Sequence, residues 1–233
     1  MSVKILAING SPRNSGTQYA LEYALKAAEE IGGVETELIN LRGKELNFCI
    51  HCNRCMKDDV FHCPTFDDVM NEIYPKILEA DGLIIGSPVY QMSPNAQITA
   101  FFNRLRPLGK LMSQGKFGLK VAGGITVGGA RNGGQDTTLE GINNMLLASG
   151  YVIASGGVFA YNGGSLWAQG ANLDGAKNDE IGLNTVSMIG HRIAVLATLL
   201  KEGAAHAELQ EFQYAGFISE EEIIARKSAF KKG

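Results

Sequence analysis

Apolar positions recur along the chain with two alternating periods. Val3 to Asn9 is a short apolar run ending in turn residues, the pattern of a buried parallel strand. Tyr19, Leu21, Ala24, Leu25 and Ala28 then fall at helical spacing. Val34 to Leu41 alternates polar with apolar positions, Glu35 and Glu37 against Leu38, which suits an outer strand. A helix is predicted over Asp67 to Ala80, with acidic residues near its start, and a wholly apolar central strand over Gly82 to Ser87. Pro88-Val89-Tyr90-Gln91 ends that strand. A helix from Asn95 to Leu105, a strand from Leu119 to Val127, a helix from Thr137 to Ala148 and a strand near Tyr151 to Ala154 follow. Loop 162–170 holds the only tryptophan, Trp167, and a long helix runs from Asp179 to Leu200. Ser219-Glu220-Glu221-Glu222 starts a short terminal helix ending in Lys231-Lys232, its charges matched to the helix dipole. Five strands alternating with five helices predict an α/β, doubly wound sheet.

Composition narrows the function classes. At 233 residues one α/β domain can bury a substantial core, and no linker, repeat or low-complexity segment divides the chain. Net charge is −3, with no block of lysine or arginine, so no nucleic-acid partner is expected. The first strand begins almost at Met1, which leaves no room for a signal peptide. No apolar run reads as long enough to span a bilayer, so no membrane partner is expected. A cytoplasmic location follows as the expectation, and there clustered cysteines bind metal or do chemistry more often than they staple a fold.

In a doubly wound sheet, ligands sit beyond the C-terminal strand ends. Three loops at that edge stand out: 10–17, 88–91 and 127–135. The first, Gly10-Ser11-Pro12-Arg13-Asn14-Ser15-Gly16-Thr17, is rich in hydroxyls and opens a helix, so its N–H groups and the helix dipole would converge on an anion. A well-capped strand-to-helix turn would look the same. It is neither a Walker loop nor G-x-G-x-x-G. A phosphate monoester such as that of FMN fits it better.

All four cysteines lie in one segment: Cys49, Cys52 and Cys55 in a C-x2-C-x2-C run, then Cys63-Pro64. A structural zinc site usually uses two separated C-x-x-C pairs. The run is nearer the ferredoxin signature that holds an iron–sulfur cluster, although the seven-residue gap before Cys63 departs from it. Unmetallated thiols are the third reading. His51 and His62 are read as solvent-facing or as residues supporting the cysteine ligands from behind. Arg54 and Lys57 are either solvated charges or charges that raise a cluster's potential.

The motifs Asn9-Gly10-Ser11-Pro12-Arg13-Asn14-Ser15-Gly16-Thr17 and Gly86-Ser87-Pro88-Val89-Tyr90 resemble the NADPH-dependent FMN reductase superfamily of flavodoxin-like proteins. The cysteine motif between them is similar to that of the iron–sulfur flavoproteins within it. The resemblance covers roughly residues 3–200. It implies a flavodoxin-like five-stranded parallel sheet of order 2-1-3-4-5 with a cysteine-rich loop after the second strand. Residues 1–205 would form the FMN-binding domain, with the cluster loop at 47–64, and 206–233 a C-terminal extension with a short helix.

Carried over residue by residue, the resemblance places the FMN phosphate on Ser11, Arg13, Ser15, Gly16 and Thr17. Pro88, Val89, Tyr90 and Gln91 would follow one edge of the isoalloxazine, and Thr126, Gly128 and Gly129, with the loop through Gly134 and Gln135, would flank the ring. Cys49, Cys52, Cys55 and Cys63 would hold a [4Fe-4S] cluster beside the flavin, at the same sheet edge. The implied activity is an FMN-dependent oxidoreductase moving electrons between cluster and flavin, from ferredoxin or NAD(P)H to a small acceptor, in a homodimer or homotetramer. No residue is assigned a catalytic role, since the chemistry is the flavin's. The rivals are a NAD(P)H-dependent flavin or quinone reductase without a cluster and a non-enzymatic flavodoxin-like electron carrier. Trp167 is read as a cover for the flavin or a partner subunit, or as loop packing, and His191 and His206 as surface or packing residues.

Overall fold

The computed structural model describes residues 2–170 and 172–207. β1 (Val3–Asn9) is buried at every position except Lys4, as its apolar run requires. It pairs in parallel with β2 (Val34–Asn40), from Val3 opposite Val34 to Asn9 opposite Asn40, and on its other side with β3 (Gly82–Tyr90). β3 pairs in parallel with β5 (Val121–Gly128). β6 (Val152–Ile153) lies along the first half of β5, and β7 (Gly163–Trp167) along the second. The predicted order is therefore observed, with the fifth place shared by two short strands.

Two expectations need correction. The described sheet has seven strands rather than five, because β4 (Ser93–Pro94) folds back onto the end of β3 and β7 is a separate strand. Gly163–Trp167 is thus strand and not loop. Gly163 has φ 138°, and a Cβ there would lie 2.3 Å from the Gly124 carbonyl oxygen, so only glycine lets the chain rejoin β5 at that point. Nor does Pro88 end β3: it sits opposite Val127, and the strand continues to Tyr90.

Helices cover both faces. α1 (Gly16–Glu29) and α8 (Glu180–His206) bury Leu21, Ala24, Val186, Ile189 and Ile193 against one face. α3 (Met70–Glu79), α4 (Ala96–Asn103) and α6 (Gln135–Ala148) bury Ile73, Phe101 and Ile142 against the other. Short helices α2 (Arg54–Lys57), α5 (Gly109–Ser113) and α7 (Leu173–Lys177) lie in the connections. By length and composition α8 is apolar enough to cross a membrane, contrary to the expectation that no such run exists. Its apolar face belongs to the core, however: Gly190 lies so close to α1 that a Cβ would meet the Ala24 carbonyl oxygen at 2.2 Å. α8 extends past Leu200 to His206, and the terminal helix predicted from Ser219 lies outside the described residues.

Candidate functional site

The phosphate-loop candidates meet at the C-terminal edge of the sheet, where a buried polar network joins three strand ends. Asn9 donates from Nδ2 to Asn40 Oδ1 (2.7 Å) and accepts the Ser11 N–H on Oδ1 (2.9 Å). The Gly10 N–H donates to the Gly86 carbonyl (2.9 Å), and Asn95 Nδ2 donates to the Gly10 carbonyl (2.5 Å). The Asn95 backbone N–H in turn donates to Ser87 Oγ (3.0 Å). A Cβ on Gly10 would lie 2.4 Å from Ile98, so the loop approaches α4 as closely as glycine alone allows. Ser11 is buried and its Oγ donates to the Arg13 carbonyl (2.9 Å), whereas Arg13 is exposed. Gly16 and Thr17 are buried and Ser15 half-buried at the start of α1. Ser15 makes no side-chain cap bond and the first turn carries no acid, so the helix presents N–H groups and a positive dipole end toward the loop.

β3 and β4 are joined by a tight hairpin in which Tyr90 pairs with Ser93. Gln91 (φ 52°) and Met92 (φ 58°) both occupy the left-handed region, the geometry of a type I′ turn, which usually takes Asn-Gly. Two side-chained residues there hold strain, and strain of this kind gathers at functional sites. Tyr90, Gln91 and Met92 are exposed, Val89 is half-buried and Pro88 is buried. Gly134 (φ 92°) backs onto this turn, and a Cβ there would meet Met92 at 2.8 Å.

The carbonyls of Gly128 and Gly129 accept the N–H groups of Ala168 (2.8 Å) and Gly170 (2.9 Å), and Gly129 also accepts Trp167 Nε1 (3.1 Å). Arg131 stacks 4.8 Å from the Trp167 ring centre. Trp167 therefore braces the glycine loop at the end of β5, a role between its two predicted readings. Thr126 is fully buried, its Oγ1 donating to the Gln135 carbonyl (3.4 Å), and so supports that loop from within.

The cysteine segment follows the end of β2. Asp68, whose side chain is 0% exposed, accepts from Arg104 Nη1 (2.5 Å) and Nη2 (3.0 Å), from Asn47 N (3.0 Å) and Nδ2 (3.2 Å), and from Met70 N (3.1 Å). Arg104 also donates to the Asn47 carbonyl (2.8 Å), lies 5.2 Å from the Phe66 ring centre and gives its own carbonyl to the Tyr74 hydroxyl (2.6 Å). Both ends of the segment are thereby pinned to the C-terminal end of α4. Burial raises the Asp68 pKa, but its bonds from Arg104 and Asn47 outweigh that and hold it below the usual range. The same pair raises Arg104 against the effect of its own burial. Burial pushes the Tyr74 phenol well above its ordinary range.

Between these anchors the backbone winds through three left-handed residues, His51 (φ 56°), Asn53 (φ 61°) and Asp59 (φ 50°). Cys49, Cys52, Cys55 and Cys63 line one small cavity, with Phe66, Arg104, Arg106 and Pro107 among its other walls. All four are free thiols. Among the described residues no three His, Cys, Asp or Glu side chains are grouped as a single ion would need. Cys52 lies 3.3 Å from the Thr65 hydroxyl, which with the Arg54 backbone N–H lowers its thiol pKa. Burial raises that of Cys55, against the nearby Arg106 charge. His51, His62, Arg54 and Lys57 are exposed. A larger cavity of about 570 Å³ adjoins, sharing Cys49 and Arg106 and walled by Met56, Phe102, Met112 and Met145.

Asn95 touches Gly10 at one end of α4, and Arg104 meets the cysteine cavity at the other. Nine residues of helix rise separate them by roughly 13 Å. Sequence reading missed Asn95, Asp68, Arg104 and Arg106. The one available signal was a charged residue, Arg104, in the largely apolar stretch Ala100-Phe101-Phe102-Asn103-Arg104-Leu105.

Comparison with known proteins gives the family and supports the fold. The family model described as NADPH-dependent FMN reductase matches residues 3–164. An iron–sulfur flavoprotein of Methanocaldococcus jannaschii is 42% identical over 207 residues, 86% of this chain and 100% of its own. Another, from Methanosarcina thermophila, is 32% identical over 86% of this chain and 98% of its own. Among solved structures, RosB with a bound 8-demethyl-8-formylriboflavin-5'-phosphate intermediate superposes with TM-score 0.67 at 19% identity, covering 94% of this chain and 92% of that one. A WrbA-like flavodoxin from Agrobacterium tumefaciens gives TM-score 0.57 at 18% identity over 85% and 98%, and both likenesses speak to fold. The chain belongs to the NADPH-dependent FMN reductase family, alongside relatives named iron–sulfur flavoproteins, and is a flavin-dependent oxidoreductase.

Proposed function

We propose that this oxidoreductase holds FMN across loops 10–17, 88–92 and 128–135 and a [4Fe-4S] cluster on Cys49, Cys52, Cys55 and Cys63. Electrons would pass between the two on the way from ferredoxin or NAD(P)H to a small acceptor. When bound, the cluster supplies single electrons and the flavin exchanges one or two. The start of α1, without cap or acid, fits a phosphate, with Ser11, Arg13, Ser15, Gly16 and Thr17 around it. Tyr90, Gln91 and the loop from Gly128 to Gly134 would orient the ring, with Trp167 and Thr126 keeping that loop in place. Residues 1–205 serve as the FMN domain in this reading, 206–233 as an extension, and the location is cytoplasmic.

The observation that carries the cluster is the convergence of all four free thiols on one cavity wall. The buried Nε of Arg106, which lacks an acceptor, fits a sulfur-bearing occupant of that cavity. The reading includes a homodimer or homotetramer as the assembly. Anaerobic purification followed by iron, acid-labile sulfide and flavin analysis tests the reading, with about four irons, four sulfides and one FMN per chain expected. FMN without iron would refute it in favour of a NAD(P)H-dependent flavin or quinone reductase.

A further inference from the structure

Two arginines wall the cysteine cavity, and they are engaged very differently. Arg104 is held by both oxygens of Asp68 and by the Asn47 carbonyl. Arg106 opens the 3₁₀ turn Arg106–Leu108 directly after α4. Its Nη2 donates to Asn53 Oδ1, and Asn53 is the left-handed residue between Cys52 and Cys55. Its Nε is buried with no hydrogen-bond partner. A buried N–H without an acceptor is costly, and native proteins seldom keep one that nothing fills. No acidic side chain is among the cavity's lining residues, and the Arg106 charge acts on the Cys55 thiol.

We propose that Arg106 is a positioning and potential-setting residue for the group that the four cysteines hold, donating from Nε to one of its sulfurs while fixing the Cys52–Cys55 turn through Asn53. The inference rests on the cluster reading above. Reduction adds one electron and one negative charge to the group, with no proton transferred, because a guanidinium stays charged at any working pH. A fixed cation and an N–H···S bond both favour the more negative, reduced state, and both are recognised means of raising a cluster's potential. Arg106 therefore makes the cluster easier to reduce, which Arg104, neutralised by Asp68, does much less.

The test uses the full chain, purified anaerobically with its flavin, as wild type, Arg106→Met and Arg106→Lys. EPR-monitored redox titration is expected to show at least a tenfold fall in the cluster's reduction equilibrium in Arg106→Met, about 59 mV for one electron. Arg106→Lys, which keeps the charge and loses the fork, is expected to fall between. In wild type with ¹⁵N-labelled arginine, pulsed EPR of the reduced cluster should show an arginine nitrogen coupling that is absent from Arg106→Lys. Equal potentials in the three proteins at equal iron content would overturn the assignment, as would a wild type without that coupling. Loss of iron from both variants would also overturn it, by making Arg106 a folding residue only. A wild type that binds flavin but no iron would instead refute the cluster reading itself.

Discussion

Removing either partner of the Asp68–Arg104 pair should release the cysteine segment, and by unequal amounts. Both side chains are out of water, 0% and 2% exposed. Breaking a buried pair by deleting one partner typically costs about 3–5 kcal/mol, because the other charge is stranded. Asp68→Asn removes the countercharge and leaves Arg104 one neutral amide oxygen, the Asn47 carbonyl and the Phe66 ring, so with the guanidinium charge stranded it should cost about 3–5 kcal/mol. Arg104→Met leaves Asp68 with the N–H groups of Asn47 and Met70, and should cost about 2–3 kcal/mol, the value of a charge-assisted bond or two. Urea unfolding measures the loss. Limited trypsin digestion reads the segment directly, since Arg54 and Lys57 lie exposed between its anchors. Cleavage there should accelerate in both variants, more in Asp68→Asn. Acid provides an independent check. The Asp68 pKa is depressed on folding, so its contribution is present above the unfolded value near 4 and drains away as pH falls below it. Wild type should lose stability more steeply than Asp68→Asn in that window. A cost under about 1 kcal/mol for Asp68→Asn, or unchanged cleavage, would refute the view that this pair anchors the segment.

Asn95→Ala removes the donor to the Gly10 carbonyl and the N-cap acceptor of the Ile98 N–H, and should cost about 1–2 kcal/mol and weaken FMN binding several-fold in a fluorescence titration of stripped protein. Met92→Gly relieves a left-handed residue and should raise thermal stability by roughly 1 kcal/mol, seen by calorimetry. Gly134→Ala should destabilise by more than about 1 kcal/mol, because its φ is positive and a Cβ would strike Met92. Lys120 donates to the carbonyls of Leu78 and Ala80 at the end of α3, and burial lowers its pKa to about 8. The unfolded chain then binds the extra proton between pH 8 and about 10.5, so unfolding free energy should rise with pH across that window in wild type and not in Lys120→Met.

The parts of this molecule legible in its sequence are those governed by local pattern. β1, β3 and β5 announce themselves because central parallel strands are buried on both faces. The phosphate loop is legible because hydroxyls, glycine and a following helix are contiguous. β7 is not, because Gly-Gly-Ser-Leu-Trp has no apolar alternation and its pairing depends on Gly163 fitting against Gly124. Nor is the site of the cysteines. Topology gives where β2 ends, but the later course of the chain is set by Asp68 and Arg104, 36 residues apart. No local pattern encodes that contact. Asn95 was predicted to open a helix, and its bond to Gly10 spans 85 residues.

The sharing of the fifth sheet place by β6 and β7 has a consequence for how copies of this chain can meet. β6 is only two residues long, and the connection from it to β7 bulges outward with Val158, Phe159 and Tyr161 exposed. At the opposite border β2 carries Glu35 and Glu37 at exposed positions. A broken rim on one side and a charged rim on the other give an incoming strand no straight, neutral edge to extend. The sheet is closed to growth by strand addition. An assembly of copies would have to form through helices and loops, the surfaces where the cofactor loops and the cysteines are displayed.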